Sequence, residues 1–433
     1  MTNIQPFPNL PAHIANLQRQ GIELRLRRSR DGDFTIQPSL YNAVLLLSRS
    51  EEYRNRIVYD DFAEKIYIIV DGNTEEVQDY HIDAIRFDME DRLFTTFKKE
   101  EIYSALEIVS KRNAINPLAD FVTRLHWDGK PRLDTVLTDY FGVEDTTLHR
   151  AYSKCFIISM IARIFATIHT PVKVDTVLVL YGKQGKLKST ALGIIALEHI
   201  FGKKYFSDTP FDMGSKDAHL MTQGKILVEL QELAKRSKDK EVEKSFISLQ
   251  IAEYRPPFRR CRVQQVRKCI FVATTNKNMI LTDATGSRRF WPVIVGKEYE
   301  DQKNWKIDTA GLQENIEQIW AEALHRFQSN ENWWLSDAEE NLRIEAAADF
   351  TDQHPLHEKI ADIAETFCSD KGYVQVEQII AELYKNPLNN LDTKYLEKST
   401  RQNKAIITDV LTEEKYEYKR QTVNGKVVRG WTK

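Results

Sequence analysis

The sequence predicts an α/β fold whose central domain has three layers and a mostly parallel sheet. Three observations support this prediction. Residues 174–195 read as an apolar strand, a glycine-containing loop and a helix. Residues 174–296 continue to alternate strands with helices, which is the pattern of a parallel sheet whose crossovers are helical. Residues 350–433 then change to three helices and a hairpin, the outline of a winged helix.

Hydrophobic periodicity predicts the domain order. Residues 1–116 form a small N-terminal α+β accessory module, 117–172 a helical collar, 173–335 the central domain and 350–433 the C-terminal winged helix. In the module, helices and strands are predicted at 39–48, 57–59, 65–70, 78–94 and 99–111. In the winged helix, helices are predicted at 356–368, 376–383 and 394–411, before a hairpin that turns at Asn424-Gly425.

Composition excludes several classes of protein. The 433 residues carry a formal net charge of -2, so any affinity for nucleic acid must come from local basic patches. No apolar run reaches the ~18 residues that span a membrane, and the N-terminus lacks a signal-peptide profile. The four cysteines form no Cys-x-x-Cys pair, which predicts free thiols in a reducing cytoplasm and no zinc site.

The loop between Tyr181 and Lys188 has the layout of a phosphate-binding P-loop. Backbone N–H groups and the helix N-terminus can cradle phosphate oxygens, the Lys188 ammonium can neutralise their charge, and the Ser189 hydroxyl can bind Mg²⁺. The loop therefore predicts ATP and Mg²⁺ as cofactors. The predicted nucleotide-binding residues are Gly182, Gln184, Gly185, Lys186, Leu187, Lys188, Ser189 and Thr190.

One position departs from the pattern G-x-x-x-x-G-K-S/T, because Leu187 stands where glycine is expected. A leucine side chain there must point away from the ligand, which is feasible if the residue has helical dihedrals that a Cβ tolerates. The positive charge of Lys188 is retained. We therefore expect ATP to bind, with the rate of hydrolysis depending on Leu187.

Two further segments follow in the order that an ATPase requires. An apolar strand at 225–230 ends in Glu229, with Glu232 three residues on. One carboxylate can hold Mg²⁺ with its water shell and the other can orient or deprotonate the attacking water, although a solvated acid at a strand end is the alternative. A second strand at 269–275 is closed by Asn276, whose amide can bind the γ-phosphate or the lytic water. A turn-forming asparagine would explain Asn276 equally well.

Arg288 and Arg289 are adjacent in the segment 285–292, directly before an aromatic pair. A guanidinium on a tight loop can reach the γ-phosphate of a neighbouring subunit and stabilise charge in the transition state. Surface arginines beside a buried Phe290-Trp291 pair would explain the segment equally well. The order of these segments behind the P-loop nevertheless favours a common catalytic role, which gives Lys188, Glu229, Glu232, Asn276, Arg288 and Arg289 as candidate catalytic residues.

Residues 254–268 form a basic segment without an acidic residue. Guanidinium groups can bind phosphates while aromatic rings stack on bases, which suits a channel for single-stranded DNA; a solvated hairpin, or one that contacts acids of a neighbouring subunit, is the alternative. The candidate DNA-binding residues there are Tyr254, Arg255, Phe258, Arg259, Arg260, Arg262, Arg267 and Lys268. The C-terminal hairpin adds Lys419 and Arg420, in a fold that serves either DNA binding or protein docking.

These residues resemble the virulence-associated E proteins of phages, plasmids and genomic islands, which are P-loop ATPases related to superfamily 3 replicative helicases. The resemblance extends over roughly residues 36–300. The segments that carry it are 116–133 (NPLADFVTRLHWDGKPRL), 173–175 (KVD), 206–208 (FSD), 216–217 (KD), 224–232, 254–257 (YRPP), 274–276 (TTN) and 286–292 (GSRRFWP).

The resemblance implies an ATPase of the AAA+ type that forms hexameric rings and moves along, or melts, single-stranded or forked DNA near a replication start. It assigns phosphate and Mg²⁺ binding to Lys188 and Ser189, the acids to Glu229 and Glu232, the sensor to Asn276 and the arginine finger to Arg288 or Arg289. Members often carry a primase domain upstream. Since only a short N-terminal piece precedes the ATPase here, we expect no primer synthesis from this chain and a separate protein as any primase.

The sequence thus predicts an ATP-driven DNA helicase or translocase of a mobile element or phage, acting as a ring in replication. The alternative is an ATP-gated DNA-binding assembly factor, or a mobile-element or defence regulator, with little unwinding activity. A protein-remodelling ATPase is disfavoured by the all-basic hairpin. Glu229, Glu232 and the arginine pair favour turnover, because an ATP-binding switch would not need them.

Overall fold

Two units make up the chain, Met1–Asn276 with Trp291–Arg343, and Lys277–Phe290 with Ile344–Lys433. The computed structural model describes residues 10–28, 32–215, 217–231, 240–255, 261–276, 287–299, 302, 304–347, 357–385, 404, 407–408, 410–412, 414, 416–423 and 426–432. A mixed α/β architecture is confirmed.

The first unit begins with an α+β module. Its helices are α1 (Ala12–Arg19), α2 (Leu40–Arg49), α3 (Asp79–Leu93) and α4 (Lys99–Arg112), and its strands are β1 (Leu26–Arg28), β2 (Phe34–Ile36), β3 (Ile57–Asp60), β4 (Lys65–Val70), β5 (Asn73–Glu76) and β6 (Ala114–Ile115). β1 pairs with β2, and the other strands form a sheet in the order β5-β4-β3-β6. The helices cover one core, to which α2 contributes Leu46 and Leu47 and α4 contributes Leu106. The helices and strands predicted at 39–111 all occur, with ends shifted by one residue at most.

Helices α5 (Pro117–Arg124), α6 (Val136–Phe141) and α7 (Thr147–Phe165) follow as the collar. The Asn116 side chain accepts a hydrogen bond from the Ala119 backbone N–H and so caps α5, whose first position is a proline that lacks an N–H to satisfy. α7 is buried along most of its length, as the apolar spacing predicts. Even so, no helix in the described part of the chain has the length and apolar content to cross a membrane.

The central domain alternates strands and helices as predicted. Its elements are β7 (Val177–Tyr181), α8 (Lys188–Ile195), α9 (Glu198–Phe201), β8 (Phe206–Ser207), α10 (Ala218–Thr222), β9 (Leu227–Gln231), α11 (Lys240–Ser248), β10 (Ile251–Tyr254), β11 (Val263–Val266), β12 (Ile270–Thr275), β13 (Phe290–Ile294), α12 (Thr309–Gln328) and α13 (Asp337–Ala347). The first strand, β7, is not at an edge of the sheet. The sheet order is β13-β7-β12-β9-β8.

The strands β7, β12, β9 and β8 run parallel, which confirms the predicted mostly parallel sheet. Their residues are buried on both faces, and this explains their nearly continuous apolar sequences. Because β12 is inserted between β7 and β9, the carboxyl ends of these three strands lie side by side. Ligands of open α/β sheets bind at such a point, outside the carboxyl ends, where the strand order reverses.

A buried carboxylate joins the collar to α12. Glu322 is fully buried and accepts hydrogen bonds from the backbone N–H groups of Arg132 and Leu133, at 2.6 and 2.9 Å. One turn later, Arg326 donates to Glu322 at 2.6 Å and to both carboxylate oxygens of Asp134 at 2.9 Å. These bonds compensate the desolvation of the Glu322 charge. The charged collar segment around Arg132 and Asp134 therefore helps to pack the collar against α12.

The second unit contains α14 (His357–Lys371), α15 (Val376–Lys385), β14 (Glu417–Val423) and β15 (Lys426–Thr432). β14 and β15 form an antiparallel hairpin, and the helices share a core that includes Ile360, Ile379 and Leu383. Two predicted helices and the hairpin are thus observed. Residues 394–403, 405–406 and 409 of the third predicted helix (394–411), and the turn Asn424-Gly425, lie outside the described residues. The winged helix accordingly stays a prediction.

We expect Glu322→Ala to lower the free energy of unfolding by about 3 kcal/mol, because it leaves two buried backbone N–H groups without an acceptor and Arg326 without one of its partners. Urea-induced unfolding followed by tryptophan fluorescence measures this loss. Glu317→Ala, an exposed position on the same helix, is the matched control. Equal stability of the two variants would contradict a structural role for Glu322.

Candidate nucleotide site

The loop 182–187 connects β7 to α8 with the bounds that the sequence predicts. The Gly182 backbone N–H donates to the Thr275 carbonyl at 3.1 Å, which ties the start of the loop to the end of β12. Gly185 has a φ of +82°, a left-handed conformation that glycine adopts at little cost. The loop therefore stands at the carboxyl ends of the parallel strands, with its backbone leading into the N-terminus of α8.

Leu187 does not have the dihedrals that we expected. Its φ of 66° and ψ of 28° are left-handed, so the position requires the conformation for which the pattern supplies glycine. The expectation of ordinary helical dihedrals is wrong, and leucine here costs roughly 1–2 kcal/mol relative to a right-handed residue. The Leu187 carbonyl still accepts the Ala191 N–H at 3.0 Å and opens α8, while its side chain is 36% exposed.

The Lys188 side chain folds back over the loop. Its Nζ donates to the carbonyl oxygens of Gly182 and Lys183, at 2.6 and 3.2 Å. Burial lowers the pKa of Lys188, and the charge of Glu229 opposes that shift. An anionic phosphate oxygen is a stronger acceptor for an ammonium group than a neutral carbonyl. Lys188 is thus held at the loop by contacts that a phosphate could replace.

Glu229 occupies the middle of β9 rather than its end, and its side chain is fully buried. Its Oε1 accepts hydrogen bonds from the Ser189 hydroxyl at 2.8 Å and from the Thr274 hydroxyl at 2.6 Å. Among the described residues, its Oε2 has no hydrogen-bond partner. Burial raises the pKa of Glu229, the two hydroxyls oppose the rise, and the charge of Asp208 adds to it.

The oxygen atoms at this point fit Mg²⁺. Magnesium prefers hard oxygen ligands, keeps several waters, and is bound in nucleotide sites through one or two carboxylates together with phosphate oxygens. Ser189 and Glu229 supply a hydroxyl and a carboxylate in contact, and the orphaned Oε2 of Glu229 is a buried acceptor that a metal-bound water would satisfy. When bound, the ion would polarise the phosphate oxygens and neutralise developing charge.

The two other predicted polar residues of this region are placed differently. Asn276 directly follows β12, is exposed, and stands beside the residue whose carbonyl anchors the loop. Its position is at the carboxyl edge of the sheet, and its sensor role stays a prediction. Glu232 lies outside the described residues, so its role stays a prediction.

Arg288 and Arg289 lie in a short 3-10 helix, Ser287–Arg289, that precedes β13 and belongs to the second unit. Arg288 is exposed and Arg289 is half-buried. An exposed guanidinium is what a finger that reaches another subunit requires. Of the two, Arg288 is the better candidate.

Lys186 has a role that the pattern does not reveal. Its Nζ donates to the Trp305 carbonyl at 2.5 Å, and its own carbonyl accepts the Ile307 N–H at 3.3 Å. Trp305 in turn stacks on Tyr299, with ring centroids 5.1 Å apart. The side chain of Lys186 therefore anchors loop 182–187 to the segment before α12.

Two residues near the site were missed as candidates. Thr274 and Thr275 are buried polar residues that end the otherwise apolar strand β12, and this contrast was a signal for the contact of Thr274 with Glu229. Asp208 directly follows β8 and influences the Glu229 pKa through its charge. A carboxylate immediately after a strand was the available signal, since parallel strands end at one edge.

The basic segment is only partly on the surface. β10 and β11 form an antiparallel hairpin outside the main sheet, and Arg255 and Arg262 at its far end are exposed. Arg262 lies 3.6 Å from Glu253, an exposed ion pair of small energetic weight. Tyr254 stacks on His219 at 5.5 Å. Phe258, Arg259 and Arg260 lie outside the described residues.

Arg267 and Lys268 are turned into the protein, which corrects their assignment as DNA-facing residues. Arg267 is 4% exposed, donates to the Thr222 hydroxyl at 3.1 Å and lies over the Phe246 ring at 4.3 Å. The Lys268 Nζ donates to the Ala166 carbonyl at 2.7 Å, and burial lowers its pKa. Both side chains fasten the base of the hairpin to neighbouring elements, because a buried cation needs acceptors that the protein itself supplies.

In the second unit, Lys419 and Arg420 are exposed on β14. Lys419 pairs with Glu417 on the same strand, while Lys426 and Arg429 on β15 add further positive charge to the hairpin. Neither observation distinguishes DNA from a protein as the partner of this hairpin.

Residues 122–352, more than half of the chain, match the model of the virulence-associated protein E-like domain. The chain belongs to this family. The matched region contains most of the collar, loop 182–187, Glu229, Asn276 and the β10–β11 hairpin, and it confirms the resemblance seen in the sequence. No curated protein shows significant sequence similarity to this virulence-associated protein E-like chain.

Solved structures with overall similarity have low identity. The apo structure of NrS-1 C terminal region (305-718) is 14% identical, with 87% of this chain and 95% of that chain covered and a TM-score of 0.44. The A form apo structure of the same NrS-1 region is 16% identical, with 87% and 96% covered and a TM-score of 0.43. Identity and TM-score are both too low to establish a shared fold or activity.

Glu229→Gln should raise the melting temperature of the nucleotide-free protein near pH 8 by roughly 3 °C, because the neutral amide oxygen still accepts both hydroxyls without a buried charge. The raised pKa of Glu229 means that the folded state keeps a proton that the unfolded state has released. The Glu229 charge therefore destabilises the folded state as the pH rises from the carboxyl pKa of the unfolded chain to the raised pKa of the folded protein. Below the carboxyl pKa of the unfolded chain this destabilisation is absent.

Thermal melts between about pH 4 and pH 8 test this expectation, since the advantage of the variant should vanish near the ordinary carboxyl pKa. Glu314→Gln, an exposed position, controls for the change in net charge. Identical pH profiles for wild type and Glu229→Gln would show that burial does not penalise the Glu229 charge.

Proposed function

We propose that the chain is a Mg²⁺-dependent ATPase that acts on single-stranded or forked DNA as a helicase or translocase, in the replication of a phage or other mobile element. The observation that carries the proposal is the contact of the Ser189 hydroxyl with the buried Glu229 carboxylate behind the P-loop. A strand carboxylate bonded to the first-turn hydroxyl of the P-loop helix is the pair that holds magnesium in P-loop ATPases. Membership of the virulence-associated protein E-like family supports the same conclusion.

In this proposal the residues divide the work of hydrolysis. Backbone N–H groups of loop 182–187 and the Lys188 ammonium bind the phosphates, while Ser189 and Glu229 hold the magnesium shell. Asn276 senses the γ-phosphate or orients the attacking water, and Glu232 accepts a proton from that water. Arg288 or Arg289 of a neighbouring subunit would stabilise the transition state, so the proposal includes a ring of subunits of the AAA+ type, a hexamer.

The exposed arginines of the β10–β11 hairpin support DNA as the partner. Arg255 and Arg262 lie beside Tyr254 at one end of the paired strands β10 and β11, where phosphates and a stacking base could be bound together. The overall charge of the chain is close to neutral, so this local patch has to supply the affinity. The proposal also includes a separate primase partner.

A second candidate function is an ATP-gated assembly factor or mobile-element regulator with little turnover. The observation that favours it is the left-handed Leu187, because a loop that must hold leucine in a glycine conformation is strained where phosphate binds. The two candidate functions differ in turnover, because the motor hydrolyses ATP and releases phosphate, whereas the assembly factor binds ATP and releases little phosphate.

We expect the wild type to hydrolyse ATP, with single-stranded DNA accelerating phosphate release several-fold. Lys188→Ala should weaken ATP binding about 100-fold and abolish hydrolysis, because the phosphate charge loses its ammonium partner. Phosphate release with and without single-stranded DNA, together with the mass of the assembly, measures both.

Lys183→Ala is the matched control, since it removes an exposed lysine of the same loop and should leave hydrolysis within twofold of wild type. ATP binding without phosphate release, with and without DNA, would overturn the motor and leave the assembly factor.

The double variant Arg255→Ala/Arg262→Ala should raise the Kd for single-stranded DNA about tenfold and reduce its salt slope by about 1.4, the value for two lost phosphate contacts. Fluorescence anisotropy at several salt concentrations measures both quantities. Arg54→Ala/Arg150→Ala removes two exposed arginines elsewhere and controls for net charge. Unchanged affinity would place the DNA on another surface.

A further inference from the structure

The β10–β11 hairpin needs support from outside itself. It is a two-stranded ribbon that, among the described residues, pairs with no strand of the main sheet. An isolated two-stranded hairpin is at best marginally stable in water, because it cannot bury enough apolar surface. The positions of Arg255 and Arg262 at its far end depend on whatever holds its strands.

One support comes from the N-terminal module, through the turn between β3 and β4. Asp60 at the end of β3 is buried, and its Oδ1 accepts the backbone N–H groups of Phe62 and Ala63 at 2.9 and 2.8 Å. Its Oδ2 accepts the Tyr205 hydroxyl at 3.0 Å and lies 2.7 Å from the Lys204 ammonium. The shape of the turn and its place against the central domain are thus set by one carboxylate.

The end of this turn reaches the hairpin. Glu64 Oε2 accepts the side-chain amide of Gln265 on β11 at 2.7 Å and that of Gln223, after α10, at 3.2 Å. Its backbone has a φ of 55°, a left-handed conformation that a glutamate adopts only at a cost. Burial raises the pKa of Glu64. The strained backbone and the half-buried, hydrogen-bonded carboxylate both indicate that the position is held by its contacts.

The approach between the two parts is close at this turn. Gly224 follows Gln223 with a φ of +67°, and a Cβ there would lie 2.7 Å from the Ala63 carbonyl oxygen. Only glycine allows the turn to come this near, both for space and for backbone conformation. The contact of Glu64 with Gln223 and Gln265 is therefore part of a built junction.

Away from the junction the module and the hairpin are separated by a cleft of about 510 Å³. Tyr254, Val263 and Gln264 line it from the hairpin, and Tyr59 and Tyr103 line it from the module. The hairpin is consequently not packed against the module along this face. Glu64, which also lines the cleft, bridges it through Gln265.

We propose that the N-terminal module braces the β10–β11 hairpin through Glu64, so that the basic end of the hairpin is held in position to engage DNA. Glu64 is a positioning residue in this scheme, since it contacts Gln223 and Gln265 and not the DNA. The contacts of Glu64 with Gln223 and Gln265 support the brace by themselves, whereas its role in DNA engagement rests on the proposed DNA binding. The inference gives residues 1–116 a role in DNA engagement.

Hydrogen–deuterium exchange of the full chain tests the brace without DNA. Glu64→Ala should exchange the amides of β10 and β11 about tenfold faster than wild type, because local opening of the hairpin becomes easier, while β7 and β12 stay unchanged. Glu64→Gln should restore wild-type exchange, because its amide oxygen still accepts both glutamine side chains. Unchanged exchange in Glu64→Ala overturns the proposal.

Fluorescence anisotropy with a labelled single-stranded oligonucleotide tests whether the Glu64 brace contributes to DNA binding. Glu64→Ala should raise the Kd about tenfold, and Glu64→Gln should bind like wild type, with ATP binding within twofold of wild type in both. Glu76→Ala is the matched control, because Glu76 lines the same cleft but pairs with Lys65 of its own module. Wild-type affinity in Glu64→Ala overturns the role in DNA engagement. If the wild type itself binds no DNA, the proposed function fails, and the exchange result still decides the brace.

Discussion

The buried carboxylate of Glu229 is the interaction on which the candidate site depends. It joins the middle of β9 to the first turn of α8 through Ser189 and to β12 through Thr274, so one group relates three segments that are distant in sequence. A buried acceptor without a partner costs about 1–3 kcal/mol, and the Oε2 of Glu229 is such an acceptor among the described residues. A magnesium-bound water at this point would donate a hydrogen bond to Oε2 and so remove the cost.

In the described part of the chain, two further buried carboxylates, Glu322 and Asp60, also join segments that are distant in sequence. Glu322 binds two backbone N–H groups of the collar, and Asp60 fixes the turn from which Glu64 reaches the hairpin. In each place the charge is compensated by hydrogen bonds that only one geometry provides, and breaking such a set is costly because a charge is then left buried. Loop 182–187 is held in a different way, because Lys186 fastens it to the segment before α12.

The bounds of the helices and strands around the site were predictable to within two residues, since they follow from periodicity and from local signals such as the Asn116 cap. The directions of the side chains could not be predicted in this way. Arg267 and Lys268 read as surface cations because their segment is basic, yet neighbouring rings and carbonyls bury them. The backbone of Leu187 was also misjudged, because the sequence shows a departure from glycine without showing which dihedrals the loop imposes.

The sequence by itself determined the α/β class, the position of the loop 182–187 between β7 and α8, and the family, because these depend on local pattern and residue type. Only the tertiary structure decided that Ser189, Thr274 and Glu229 share a hydrogen-bonded cluster, that Lys186 is an anchor and that Glu64 touches the hairpin. Those contacts join residues 40 to about 200 positions apart. They depend on strand order and packing, which no local pattern specifies.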